Sequence, residues 1–255
     1  MKHVTAAASL AALLCSCSAP KVALQATYGE LKPDGDLGYA TTSGGVSGST
    51  STSDLAIDDS EAMPGARADL KWGAPHLTLS TQASSWDGRG TLAADFGGIS
   101  ASTAVDTSLD LALHRGVLPF DVLPTENVEL GLGLGVTVAD VEASVNDVGG
   151  NVTESADEVL PIPVLAVRGG ARFGGLHVEA LVSGMTINYD GDDATYLEAD
   201  LQAGLDLFGA AGALSGGVVA GYRYIALDVE YDDATESADL DLTFNGPYLG
   251  LSLSF

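Results

Sequence analysis

From about residue 21 to the end of the chain, apolar and polar positions alternate with a period of two, as in strands with two unlike faces. The clearest run is 195–207. Leu197, Ala199, Leu201, Ala203, Leu205 and Leu207 share one side, and Glu198, Asp200, Gln202, Gly204 and Asp206 share the other. Val128, Leu130, Leu132, Leu134, Val136 and Val138 alternate against Glu129, Gly131, Gly133, Gly135 and Thr137 in the same way. Val105, Thr107, Leu109, Leu111 and Leu113 alternate against Asp106, Ser108, Asp110 and His114. A helix would spread each set around its circumference, so helices are rejected. About ten strands are predicted, over 21–32, 65–73, 76–86, 101–118, 125–146, 158–173, 175–189, 195–208, 214–231 and 238–255.

The connections alternate in length. Short turns are expected at Gly73-Ala74-Pro75, around Pro119 to Pro124, at Gly174-Gly175 and from Gly209 to Ala213. Longer loops are expected at 33–64, 87–100, 147–157, 190–194 and 232–237. Short turns at one end and long loops at the other suit an all-β, closed antiparallel transmembrane β-barrel, with the turns periplasmic and the loops extracellular. Ten strands satisfy the even count of a single closed chain; eight do so if the first two are not both in the wall. Trp72, Phe120, Phe173, Phe208 and Phe255 fall beside the short turns or the C-terminus, and Tyr28, Trp86, Tyr189, Tyr196 and Tyr231 near the long loops. Two aromatic belts are the expected reading, since such rings prefer the two membrane interfaces.

In two places the apolar positions change parity. One is Gly246-Pro247, between Leu240, Leu242, Phe244 and the set Leu249, Leu251, Leu253, Phe255; the other is near Ala139-Asp140. Proline cannot donate to a ladder, so a bulge is the expected cause at the first. The Gly-, Ser- and Thr-rich stretch Thr41 to Ser53 leaves two options: a disordered loop, or an inward-folded plug that buries Leu55 and Ile57.

Composition narrows the class. The chain has 255 residues and a formal net charge of −25, with no basic surface for nucleic acid. No stretch after residue 20 approaches the roughly 20 apolar residues of a transmembrane helix. A membrane crossing would therefore use a barrel, whose backbone groups all pair between strands. Residues 1–16 read as an export signal, with Lys2 and His3 before the apolar run Val4 to Leu14. Leu14-Cys15-Ser16-Cys17 suits a lipoprotein signal with Cys17 as the lipidated first residue; the other reading is a small apolar residue in an ordinary signal. The barrel then occupies 17–255. Both cysteines lie in this leader, so no internal disulfide framework is expected.

The C-terminal run Gly246-Pro247-Tyr248-Leu249-Gly250-Leu251-Ser252-Leu253-Ser254-Phe255 resembles the terminal signal of bacterial outer-membrane β-barrel proteins. Gly221-Tyr222-Arg223-Tyr224 and Leu132-Gly133-Leu134-Gly135-Val136 resemble strands of the small barrels of that family. The resemblance implies a location in the outer membrane, contact with its lipids, and delivery by the barrel-assembly machinery through the strand ending at Phe255. It carries no catalytic motif, so no functional residues transfer. A lipidated N-terminus is uncommon in such barrels.

Parity places a charge network in the lumen: Arg168, Arg172 and Arg223 with Asp106, Asp110, Glu129, Glu179, Glu198, Asp200 and Asp206. Such groups are expected to neutralise one another structurally; the alternative is a cation-selective constriction. Enzymes of this family use a carboxylate–His or Ser–His pair at the rim or on the outer face. The histidines after the leader are His76, His114 and His177, and all fall near the short turns. His114 and His177 approach Asp110 and Glu179 on this reading, a hydrogen-bonding arrangement rather than a catalytic one. The long loops are acidic, with Arg89 as their only basic residue; examples are Asp58-Asp59-Ser60-Glu61, Asp190-Gly191-Asp192-Asp193 and Asp232-Asp233. They attract divalent cations without matching a calcium-loop pattern. The expected protein is a non-enzymatic envelope component or small passive pore without cofactor. Its rivals are a surface-binding protein, a membrane enzyme, and a soluble lipid-anchored periplasmic barrel.

Overall fold

The computed structural model describes residues 20–40, 48–123, 125, 127–149, 152–189, 192–209, 214–232 and 237–255. The export leader, Cys17 and the first part of the Gly/Ser/Thr-rich stretch lie outside these residues. The elements are strands: Lys21–Ala40 (β1), Thr50–Ser51 (β2), Glu61–Lys71 (β3), His76–Thr91 (β4), Ala104–Asp121 (β5), Val128–Asp147 (β6), Thr153–Phe173 (β7), Leu176–Tyr189 (β8), Asp192–Phe208 (β9), Ser215–Asp232 (β10) and Ser237–Ser254 (β11). Each of the ten long strands pairs antiparallel with the next, and β11 returns to β1, from Ala23↔Ser254 to Ala40↔Ser237. The sheet closes into a ten-strand barrel, which removes free sheet edges at the closure.

Several strands are longer than the alternation predicts, because stretches read as acidic loops are strand. β1 runs to Ala40 and β4 to Thr91, while β8 and β9 are separated by only two residues. At the other end the Gly174-Gly175 hairpin is tight, with Gly174 at φ 63°, as the first position of a two-residue hairpin turn requires. The end holding this turn is called lower here, and the opposite end upper.

The barrel wears opposite faces in its two halves. On β6, Val128 to Val138 point outward and Glu129 to Thr137 inward in the lower half. Above them the outward positions become Asp140, Glu142, Ser144 and Asn146, and the inward ones Ala139, Val141, Ala143 and Val145. On β11 the outward Phe255, Leu253, Leu251 and Leu249 give way to Asn245, Thr243, Asp241 and Asp239, while inward Ser254 and Ser252 give way to Phe244 and Leu242. The ladders run through both places without a register shift. The bulge expected at Gly246-Pro247 is therefore absent, and the parity change near Ala139-Asp140 involves none either. What changes is the character of the residues on each face, not the parity of the strand. Among the described residues, the β9–β10 ladder shifts register at Gly216/Gly217.

Inside the upper half sits an apolar core of Leu31, Met63, Trp86, Leu109, Leu111, Leu113, Ile225, Leu227, Leu242 and Phe244 among others. Trp86 donates its indole N–H to the Leu31 carbonyl at 3.3 Å and meets the Phe244 ring at 5.4 Å. Trp86 is thus core rather than belt, and Tyr196 is buried as well. Tyr28, Tyr222 and Tyr224 are the rings exposed on the outer face near mid-height, and Phe120, Phe173, Phe208 and Phe255 those at the lower end. The side chains of Tyr189 and Tyr231 lie outside the described set.

Residues 50–57 settle the plug question for the described part of that loop. β3 is short, and this segment occupies the wall beside it, stitched to β1 by Thr52 N–H to Gly35 O (2.9 Å) and to β4 by Thr91 N–H to Asp54 O (2.8 Å). Leu55 and Ile57 are buried in the upper core. The approach is close: a Cβ on Gly90 would lie 1.9 Å from Asp54 O, so only glycine fits there.

Candidate functional site

Beneath the apolar core the lumen is crossed by a charge network. β3 contributes Arg67, Asp69 and Lys71 on alternate positions, with outward Ala66, Ala68 and Leu70 between them. β5 adds Arg115 and Asp121, β6 Glu129, β7 Arg168, β8 Glu179, β9 Glu198 and Asp200, and β10 Arg223. Five cations thus face six carboxylates.

The contacts link most of these groups in a chain. Arg168 Nη1 donates to Glu129 Oε2 at 2.8 Å, and its Nη2 to Glu179 Oε2 at 2.5 Å. Glu179 also receives Arg67, whose Nε lies 2.8 Å from Asp69 Oδ2. Lys71 Nζ lies 2.5 Å from Glu129 and 2.7 Å from Asp121. Asp69 additionally accepts Thr78 Oγ1 at 2.6 Å, with His76 Nε2 at 3.1 Å. A second group stands closer to the apolar core. Arg223 Nη2 donates to Asp200 Oδ2 at 2.5 Å, and Tyr248 donates its hydroxyl to Asp200 Oδ1 at 2.6 Å while its ring lies under the Arg223 guanidinium. Arg115 Nη1 lies 2.9 Å from Glu198 Oε1, and Tyr196 donates to Glu198 Oε2 at 2.8 Å. The Arg115 N–H vectors do not align with that carboxylate, so this is an ion pair without a hydrogen bond.

The four lumenal arginine side chains are only 2–7% exposed. Charges so buried persist only when paired. The arrangement fixes side chains across the barrel and leaves none of these guanidinium groups open to a passing ion. Among the described residues no group of three or more His, Cys, Asp or Glu is placed to hold a metal.

Of the residues expected in the lumen, Arg168, Arg223, Glu129, Glu179, Glu198 and Asp200 lie in this network. Arg172 and Asp206 meet at the lower mouth at 3.3 Å, where His177 lies 3.9 Å from Asp206. Asp106 and Asp110 are not in the lumen. They point outward from the upper half of β5, because the apolar stripe sharing their strand, Val105 to Leu113, faces the upper core rather than lipid. Asp106 there takes two hydrogen bonds from Arg89, at 2.6 and 2.9 Å. His114 likewise stands on the outer face, 2.9 Å from Thr81 Oγ1, and does not approach the lumen. Sequence reasoning missed Arg67, Asp69, Lys71, Arg115, Asp121, Tyr196 and Tyr248. The period-two pattern 66–71 signalled the first three. Arg115 shares a face with Leu109 to Leu113, which masked it.

The outer face of the upper half is an acidic collar with three rows of directly opposed carboxylates. They are Asp110–Glu142–Asp157 across β5, β6 and β7, Asp36–Asp241–Asp228 across β1, β11 and β10, and Asp193–Glu230–Asp239 across β9, β10 and β11. Like charges directly opposite one another destabilise a sheet. In the collar Arg89 holds the exposed Asp106 carboxyl below the usual carboxylate range, chiefly through its hydrogen bonds and then through its charge.

No family model and no curated protein matches the chain. Solved structures do. The outer-membrane protease OmpT from Escherichia coli matches with a TM-score of 0.52 at 10% identity, over 92% of this chain and 97% of that one. Neisserial surface protein A matches at 0.39 and 12% identity, over 93% and 100%. A FadL homologue from Pseudomonas aeruginosa matches at 0.31 and 11% identity, over 92% and 90%. These structural neighbours are bacterial outer-membrane β-barrels, and the likeness is one of fold.

Proposed function

We propose that this chain is an integral barrel of the bacterial outer membrane with a structural, non-enzymatic role, closed to ion flow and presenting an acidic collar to the outside. The exposed aliphatic band of the lower half, with phenylalanines at its lower edge and tyrosines near its upper one, matches a hydrocarbon layer and its interfaces. The observation that carries the closed reading is the pairing of the buried arginines Arg67, Arg115, Arg168 and Arg223 with lumenal carboxylates beneath an apolar core. A ten-stranded barrel is only slightly wider than the eight-stranded size that side chains fill. A non-enzymatic role is supported by the histidines: His76 is buried beside Asp69, His114 meets Thr81, and His177 sits at the lower mouth. Lipidation at Cys17, contact with outer-membrane lipids and delivery by the barrel-assembly machinery through the strand ending at Phe255 belong to the same proposal. The test is current through a planar bilayer holding folded, heat-modifiable protein. Electrical silence is expected; discrete steps would mean an open lumen and the passive-pore reading.

The three carboxylate rows favour a second reading, in which the collar concentrates divalent cations at the cell surface by diffuse attraction. It predicts that calcium slows proteolysis of the upper half more than sodium does at equal ionic strength. Equal effects would leave general screening as the explanation.

A further inference from the structure

The seam between β7 and β8 is open where the other long seams are closed or filled. Their ladder runs from Phe173↔Leu176 up to Leu165↔Gly184 and stops, although both strands continue. Residues 159–164 of β7 still pair with β6, so they remain strand with one bare edge. The comparable break between β3 and β4 is filled by residues 50–57; among the described residues nothing fills this one.

The lower part of this bare edge lacks the donors that would otherwise be stranded on it. Arg172 N–H donates to Asn127 O on the β6 side, and the β6–β7 register is unbroken, so even-numbered β7 residues turn their backbone groups to β6 and odd-numbered ones to β8. Pro161 and Pro163 are odd-numbered. They occupy the two lowest β7 positions whose N–H would point into the opening, and proline has none. An unpaired N–H at membrane depth costs several kcal/mol, and the prolines remove the two that β7 would present at the level of Val136 and Val138, while Thr186 of β8 still turns its N–H toward the seam. The same two prolines discourage a foreign strand from adding to this edge.

The height and lining of the opening identify its occupant. Pro163 and Pro161 stand level with Val136 and Val138, the last outward aliphatics on β6 below Asp140. The seam therefore opens at the upper rim of the aliphatic band. Its inner edge is apolar: Leu160 and Ile162 of β7 pack on the upper core. Met185 and Ile187 complete it from β8. Met185 is 39% exposed although its alternation puts it on the lumen side. We infer that the β7–β8 seam is a lateral binding site for the hydrocarbon chain of an outer-leaflet lipid, which lies between the two strands against Ile162 and Met185. This rests on the membrane placement proposed above.

The test places a photoreactive benzophenone side chain at Ile162, Met185, Leu181 or Leu201, one at a time, in protein folded into dimyristoylphosphatidylcholine vesicles. Leu201 faces the aliphatic band and is 55% exposed, whereas Leu181 faces the lumen below the opening and is fully buried. Lipid adducts are expected from 162, 185 and 201, and none from 181. Failure at 201 would sink the membrane placement itself. Reaction at 201 with none at 162 and 185 would overturn the seam site alone. In native membranes, an adduct to another protein in place of lipid would make the edge a strand-pairing interface and overturn the assignment. The double variant Pro161→Val, Pro163→Val restores both donors, so loss of the adduct at 185 is expected while that at 201 persists. An undiminished adduct at 185 in folded variant would refute the role given to the prolines, and Pro163→Val alone gives the same reading if the double variant does not fold.

Discussion

Arg168 illustrates what the buried charges do. It bridges Glu129 and Glu179, and each of those carboxylates has a second cation, Lys71 or Arg67. Arg168→Ala leaves a local excess of negative charge among buried side chains, and breaking such a pair costs roughly 3–5 kcal/mol. The lower end of that range is expected, because Lys71 and Arg67 remain. Adding Glu129→Gln and Glu179→Gln should recover much of the loss in urea unfolding from vesicles; equal losses in the single and triple variants would contradict the network. At the surface, Asp106 should titrate below an ordinary aspartate, and Arg89→Ala should return it to the normal range in an NMR titration. A lowered folded-state value adds stability above the unfolded-state value, and that stability is lost as pH falls through the folded-state one. The pair is fully exposed, so the effect on stability is small. Asp106 and Asp110 also show how far single residues are legible. Their alternation is plain in the sequence, but alternation divides two faces without saying which one is inside.

At the scale of strands, the parity changes at Ala139-Asp140 and Gly246-Pro247 are visible in the sequence, and the proline at the second suggests a bulge. A bulge moves side chains to the other face, whereas here the side chains stay and the surroundings exchange. Local pattern cannot separate these cases, because both put two apolar stripes out of phase. Agreement of the flip across β1, β5, β6, β10 and β11 does separate them, since unrelated bulges would not fall at a common height. The account predicts unequal penalties along β6. Leu134→Arg should cost about 2–4 kcal/mol, and Glu142→Arg about 0–1 kcal/mol or less, given its acidic neighbours. The wall segment 50–57 gives a further prediction. Gly90→Ala pushes a Cβ against Asp54 O, and this should expose 48–58 to protease while the lower barrel stays folded. Whether this stretch would pack or stay loose was undecidable from sequence, because Leu55 and Ile57 are buried by partners far away in the chain.

The whole molecule carries a net charge of −25, and much of its surface charge is gathered in the upper collar. Self-repulsion of this kind is screened by salt, with a Debye length of about 8–10 Å near physiological ionic strength. Raising salt should therefore stabilise the upper half more than the lower, measured by hydrogen exchange of β5, β6, β10 and β11 along their lengths. The closed, ten-stranded plan was legible from period-two patterning and alternating connection lengths. The double character of the wall was not, since it arises from two media acting on one continuous sheet.

The central claim is that the outer face changes medium at mid-height. The direct measurement is cysteine labelling along one strand, with single cysteines at Leu132, Leu134, Val136, Val138, Asp140, Glu142 and Ser144 in otherwise cysteine-free protein folded into vesicles. A membrane-impermeant maleimide should leave the first four unreacted and label the last three, with the step between 138 and 140. Labelling at similar rates along the whole strand would contradict the account, as would protection that continues through 144.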